Sequence, residues 1–285
     1  MKSYQNYLFD LYGTLLDIST DEHKAGLWKT MAGFYNVYGC DWDKKRIDKA
    51  FWKTDAEERR IKSKENGSER PEIKLERVFA RLLFECKNTH HTDISISGEK
   101  IDDLRQRYAS EKEEIITLVS QSDWAVAAAN LFRITSRKYM RPYPNTIKTL
   151  KKLKKQGKKV YLLSNAAKIF TMPEIEQTGI LPYFDGLYIS SDCGLMKPEK
   201  GFMEYLIEEE GLNPEETVMV GNEIQSDVAI ALRCRINSIY LHTFAMSEKE
   251  VRKQIKALIK KEKADKSLYP EIIMSGDIGA ILKNT

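Results

Sequence analysis

The chain has 285 residues, 42% apolar and 31% charged, with 46 basic against 42 acidic side chains and a formal net charge of +4. That length holds one large domain or a core with a second domain inserted, and the composition is that of a globular chain able to bury a sizeable core. The near-balanced charge argues against nucleic acid as a partner, and no apolar run approaches the ~20 residues of a membrane span.

Tyr7, Leu8 and Phe9 form a continuous apolar run, as in strands buried on both faces. The run stops at Asp10, and a Gly13-Thr14 turn follows. Such a strand delivers one carboxylate to a sheet edge, where it can act as a nucleophile. From residue 17 to about 140 strand signal nearly vanishes. Segments 25–38, 44–62, 72–85, 100–119 and 123–139 are rich in helix formers. Ile73, Leu75, Val78, Phe79, Leu82 and Leu83 recur at helical spacing. The stretch Glu65-Asn66-Gly67-Ser68-Glu69-Arg70-Pro71 is a turn between two helices. This zone predicts a helical bundle with Trp28, Trp42, Trp52 and Trp124 in its core.

From residue 141 the texture alternates. A helix over 144–156 stops at Gly157. Val160-Tyr161-Leu162-Leu163 is a strand ending at Ser164-Asn165. Residues 186–190 form another, and a helix over 199–210 starts after Pro198. A strand at 217–221, a helix through Leu232 and a strand at 238–241 follow. A short strand at 272–274 and a helix at 278–282 close the chain. Strands alternating with helices predict a parallel, doubly wound sheet. The expected fold class is α/β, with residues 1–16 and 141–285 as the core and 17–140 as an all-helical insertion.

Cys40, Cys86, Cys193 and Cys234 lie far apart without a CxxC pair and read as reduced structural thiols. His90-His91 sits in a polar stretch and reads as a solvated loop, not a zinc site. No basic stretch leads into an apolar segment at the N-terminus, so no signal peptide is expected. With the thiols, this points to the cytoplasm. The Lys-rich stretches 151–159 and 249–266 read as solvated helix faces.

In open parallel sheets, ligands bind outside the carboxyl ends of the strands. Four expected strand ends carry polar groups there: Asp10 with Thr14, then Ser164-Asn165, then Lys197-Pro198 after the loop 190–196, then Gly221-Asn222-Glu223 with Asp227. Singly these are weak signals; in this order they form a constellation. The four stretches Asp10-Leu11-Tyr12-Gly13-Thr14, Leu162-Leu163-Ser164-Asn165, Lys197-Pro198-Glu199-Lys200-Gly201-Phe202 and Val220-Gly221-Asn222-Glu223-Ile224-Gln225-Ser226-Asp227 resemble the motifs of the haloacid dehalogenase-like hydrolase superfamily. The likeness covers residues 4–16 and about 141–241, and a helical cap inserted after the first motif is also a trait of that superfamily.

The resemblance implies roles. Asp10 would be a nucleophile forming a covalent aspartyl intermediate. Thr14 and Ser164 would hydrogen-bond the transferring group, and Lys197 would neutralise charge on nucleophile and substrate. Mg²⁺ would be held by Glu223 and Asp227 together with Asp10 and the main-chain carbonyl of Tyr12. Tyr12 and Asn165 would contact a small phosphorylated substrate.

Two departures stand out. In the superfamily's phosphatases, position 12 is usually a second aspartate that protonates the leaving group and then activates water, help worth about 10²–10⁴ in rate. An unperturbed phenol, titrating near pH ~10, does not readily replace it. Tyrosine is what the superfamily's 2-haloacid dehalogenases show, where the aspartate attacks carbon and displaces halide without a metal. The second departure is Asn222-Glu223 where Gly-Asp is common. Three acids, Asp10, Glu223 and Asp227, facing one Lys197 favour Mg²⁺ and phosphate. The expectation is an Mg²⁺-dependent phosphatase. The alternatives are a 2-haloacid dehalogenase-like hydrolase and a catalytically impaired, ligand-binding member.

Overall fold

In the computed structural model, which describes residues 4–284, the run Asn6–Phe9 forms strand β1, buried on both faces. It is a central strand of a six-stranded sheet with β2 (Lys159–Ser164), β3 (Gly186–Ile189), β4 (Thr217–Gly221), β5 (Asn237–Leu241) and β6 (Glu271–Ile273). The order is β6-β5-β4-β1-β2-β3 and the strand pairs are parallel. The chain runs outward from β1 to β2 and β3, then restarts with β4 on the other side of β1. That reversal makes a topological switch point, with a crevice beyond the strand ends. Phe9 is in register with Leu162 on β2 and Val220 on β4. Asp10, whose N–H donates to Val220 O at 3.0 Å, therefore emerges in that crevice.

The chain divides into two compact units. Among the described residues, one comprises 4–18, Tyr139–Lys168 and 172–284; the other comprises Ser19–Lys138 and Ile169–Thr171. The second unit is built from α1 (Ala25–Val37), α2 (Lys44–Asn66), α3 (Leu75–Phe84), α4 (Ile101–Arg107), α5 (Lys112–Ser120) and α6 (Asp123–Ser136). Asp43 starts α2 by accepting from the N–H groups of Lys45 and Arg46, and Gly67 ends it at φ 70°. Trp28, Phe51, Phe79 and Phe132 form one aromatic core with ring centroids 5.2–5.8 Å apart. Trp124 is buried against Tyr35, whereas Trp42 and Trp52 are only half-buried.

The insertion departs from expectation at three places. It is not all-helical, since Ser95–Ile96 pairs antiparallel with Glu99–Lys100 in a short hairpin. The stretch 100–119 is two helices, not one. The last helix ends at Ser136, and Arg137–Pro142 is a strand paired with Leu16–Thr20 in a separate two-stranded ribbon. Thr135 and Ser136 turn their hydroxyls back onto the carbonyls of Leu131 and Arg133, which competes with continued helix, and Pro142 disfavours helix at the residue before it.

In the first unit the helices are α7 (Thr146–Lys155), α8 (Lys168–Gln177, apart from Ile169–Thr171), the short α9 (Ser190–Cys193), α10 (Lys200–Glu209), α11 (Ala229–Arg233) and α12 (Glu248–Glu262). Alternate strand residues serve opposite layers. Tyr7, Phe9, Leu162, Val218 and Val220 pack with Leu150 and Leu153 of α7 and Ile175 of α8. Leu8, Tyr161, Leu163 and Met219 pack with Phe202, Met203 and Leu206 of α10. Each such buried side chain contributes about 1.5–3 kcal/mol. Covering both faces leaves the carboxyl edge of the sheet as the place for chemistry.

Candidate active site

Asp10 lies at the centre of that edge. Lys197 Nζ donates to Asp10 Oδ1 and to Asp227 Oδ1, both at 2.7 Å. Thr14 Oγ1 donates to Asp10 Oδ2 at 3.2 Å, and Ser164 Oγ to Asp10 Oδ1 at 3.4 Å. Lys197 is 1% exposed and Asp227 2%, so the ammonium depends on these carboxylates for its stability. Burial by itself drives the Lys197 amine down, but Asp10 and Asp227 outweigh it and hold it above its ordinary value. Burial lifts the Asp227 carboxyl to about 6; Lys197 opposes the rise and the charge of Asp10 adds to it. One cation between two carboxylates leaves the site with surplus negative charge.

Local structure explains how each group arrives. Asp227 sits on a π-helical turn, Ile224–Val228, that leads into α11, and its Oδ2 accepts from Glu223 N–H at 2.9 Å. A Cβ at position 221 would lie 2.2 Å from that oxygen, so glycine is what lets the carboxylate pack against the end of β4. Gly13, at φ 84°, lies directly under the Asn222 amide. Asn222 Oδ1 is 3.2 Å from Thr14 Oγ1, and its Nδ2 donates to Thr243 Oγ1 at 3.0 Å. Thr243 Oγ1 in turn donates to Gly13 O at 2.8 Å. The Asn222 side chain thus fastens the loop after β1 to the ends of β4 and β5.

Asn165 is committed to the main chain of Lys197. Its Nδ2 donates to Lys197 O at 2.9 Å, and Lys197 N–H donates to its Oδ1 at 2.7 Å. Tyr12 Oη donates to Glu174 Oε2 at 2.5 Å, and Glu174, on α8, is 2% exposed.

Of the residues expected from sequence, Asp10, Thr14, Ser164, Lys197 and Asp227 come together around one carboxylate. Glu223 does not: its side chain is exposed, and it meets Asp227 only through its main chain, its N–H donating to Asp227 Oδ2 and its carbonyl accepting from Asp227 N–H. Among the described residues no three His, Cys, Asp or Glu side chains are grouped to hold a metal ion. Two carboxylates in a site with surplus negative charge nevertheless fit Mg²⁺, which takes oxygen ligands, typically one or two carboxylates, and keeps several waters. Sequence reasoning missed Glu174, Thr243 and the anchoring job of Asn222, none of which carries a local signal. His91 is exposed and pairs with Asp102.

The family profile described as haloacid dehalogenase-like hydrolase matches residues 4–234. The chain belongs to the haloacid dehalogenase-like hydrolases.

This haloacid dehalogenase-like hydrolase is 39% identical over 89 residues to the glyceraldehyde 3-phosphate phosphatase of Methanocaldococcus jannaschii, covering 31% of the chain and 39% of the relative. It is 32% identical over 104 residues to the protein of that name from Methanothermobacter thermautotrophicus, covering 36% and 46%. The chain thus spans under half the length of these two curated relatives. The structure of L-2-haloacid dehalogenase from Xanthobacter autotrophicus aligns over 99% of both chains at 15% identity and a TM-score of 0.49.

Proposed function

We propose that this hydrolase cleaves a small phosphate ester by phosphoryl transfer to Asp10, followed by hydrolysis of the aspartyl phosphate. The observation that carries the reading is the Lys197 ammonium bridging Asp10 and Asp227 at a topological switch point. The partial relatives named as phosphatases support it.

A carboxylate attacking a phosphate dianion meets like-charge repulsion. The buried Lys197 offsets it, and Thr14 and Ser164 offer hydroxyls for the transferring oxygens; one such preplaced donor is worth about 3–4 kcal/mol. Mg²⁺ held by Asp10, Asp227 and the main-chain carbonyl of Tyr12 would supply further neutralisation of charge between nucleophile and phosphate. An Asp10 oxygen attacks phosphorus while the ester P–O bond breaks, its electron pair leaving with the alcohol oxygen. Water then attacks phosphorus, freeing Asp10 and inorganic phosphate. Asn165 contributes by fixing the Lys197 backbone.

Incubation with aryl phosphates, with and without Mg²⁺, tests this. Turnover that needs Mg²⁺ and disappears in Asp10→Asn is expected; turnover that Asp10→Asn leaves intact contradicts it.

A second reading, carbon–halogen cleavage, is favoured by Tyr12. There water attacks the carbonyl of an Asp10 ester, so turnover in ¹⁸O-water would label the Asp10 carboxylate. Hydrolysis at phosphorus labels the released phosphate instead. Halide release from 2-haloacids in the presence of a chelator would support this second chemistry.

A further inference from the structure

The helical unit brings two cysteines, distant in sequence, onto one acceptor. Cys40 Sγ and Cys86 Sγ both donate to Leu83 O, at 3.3 and 3.2 Å, so the two sulfurs sit side by side on one carbonyl oxygen. The backbone holds them there. Cys40 bridges Asn88 in antiparallel fashion, Asp41 N–H donates to Lys87 O at 3.1 Å, and Thr89 N–H donates to Gly39 O at 2.9 Å. Arg105 Nη2 lies 3.6 Å from Cys40 Sγ and is fixed by Tyr38 O at 2.6 Å. Cys40 is buried and Cys86 half-buried.

We propose that Cys40 and Cys86 form an oxidisable dithiol, a modification site where Cys86 reacts with a hydroperoxide and Cys40 then closes a disulfide. The assignment of partners follows from exposure and charge. Contact with the Cys40 thiol lowers the Cys86 thiol despite burial; Arg105 lowers it further, while Asp41 opposes. The same contact, with burial, raises Cys40 and outweighs the neighbouring Arg105, which lowers it. Cys86 is thus the more exposed thiol and the more readily ionised of the two, with Cys40 buried behind it, the arrangement that favours reversible thiol oxidation.

The chemistry balances. The Cys86 thiolate attacks one peroxide oxygen, the O–O bond breaks, and Cys86 becomes a sulfenic acid while the departing oxygen takes a proton as water or alcohol. Cys40 sulfur then attacks Cys86 sulfur, and its proton leaves with the displaced hydroxide as water. The sulfur pair loses two electrons and the peroxide gains two. Cys193 and Cys234, on the other unit, are free thiols that burial pushes up, Cys234 to about 12. The site is therefore selective within the chain.

The test treats the intact protein with equimolar hydrogen peroxide, blocks remaining thiols with iodoacetamide, and maps non-reduced peptides by mass spectrometry. A Cys40–Cys86 cross-linked peptide is expected, formed at least tenfold faster than any oxidation of Cys193 or Cys234. In Cys40→Ser, Cys86 should be captured by dimedone as a sulfenic acid; in Cys86→Ser, Cys40 should stay alkylatable after denaturation. Oxidation of Cys193 or Cys234 at an equal or greater rate overturns the proposal. So does persistence of both Cys40 and Cys86 as free thiols at a peroxide dose that oxidises free cysteine. The wild-type map decides even where a variant fails to fold.

Discussion

Tyr12 Oη donates its proton to the buried Glu174 carboxylate at 2.5 Å. That proton is aimed at α8 and not at a departing alcohol, so the first residue beyond Leu11 gives the leaving group no acid. Rates should therefore fall steeply as the leaving alcohol becomes more basic: aryl phosphates turn over while alkyl phosphates lag. Tyr12→Asp should raise alkyl phosphate turnover by about 10²-fold, the lower end of positioned acid–base help. Comparing a series of aryl and alkyl esters in both proteins measures this; equal slopes with no gain would show that Tyr12 is not the limiting feature.

Lys197 carries the charge balance of the site. Lys197→Met leaves Asp10 and Asp227 facing each other in a buried setting. Breaking a buried pair in this way costs about 3–5 kcal/mol of stability. Aryl phosphate turnover should fall at least ~10²-fold, as when preplaced charge stabilisation is removed. Urea denaturation and initial rates check both effects. Lys197→Arg should not restore activity, because a planar fork does not replace a point charge set 2.7 Å from two oxygens.

Asn222 fastens Thr14 and, through Thr243, Gly13. Asn222→Ala removes the bond to Thr243, worth about 0.5–1.5 kcal/mol, and the Oδ1 contact that competes with Asp10 for the Thr14 hydroxyl. The expected result is a loss of kcat of roughly tenfold, since a small misplacement of reacting groups is costly, with KM little changed. A change confined to KM would instead make Asn222 a substrate contact.

Asp185, before β3, accepts from Val160 N–H at 2.8 Å and from Lys154 Nζ at 2.5 Å. Burial raises its carboxyl, but these two partners outweigh it and hold it below the ordinary carboxylate range. A folded-state value below the unfolded one, about 3.9, gives stability that is present above that pH and lost as pH falls through the folded value. Asp185→Asn should therefore cost about 1–2 kcal/mol near neutrality, as for a charge-assisted bond. The two proteins should converge as pH falls through the lowered folded-state value of Asp185. Unfolding curves at several pH values would show it; a gap that persists into acid contradicts the linkage.

The sheet is legible in the sequence because its strands are continuous apolar runs, and Asp10, Ser164 and the start of Asn222-Glu223 sit where those runs stop. Asp227 and Lys197 are legible through spacing from such ends. Glu174 is not: a glutamate between Pro173 and Ile175 looks like any helix residue, and its burial depends on α8 meeting the loop after β1. The ribbon of Leu16–Thr20 and Arg137–Pro142 is equally hidden, since short strands of mainly polar, half-buried or exposed residues imitate loop. The Cys40–Cys86 pair arises only when the chain after α3 returns beside the turn after α1.

Acid-quenching a single turnover of an aryl phosphate with Mg²⁺, then mapping peptides, reads the proposed intermediate itself. Phosphoryl mass should appear on the peptide bearing Asp10 and vanish in Asp10→Asn. Turnover with no phosphoryl group on that peptide, or with one on another residue, would contradict nucleophilic attack by Asp10.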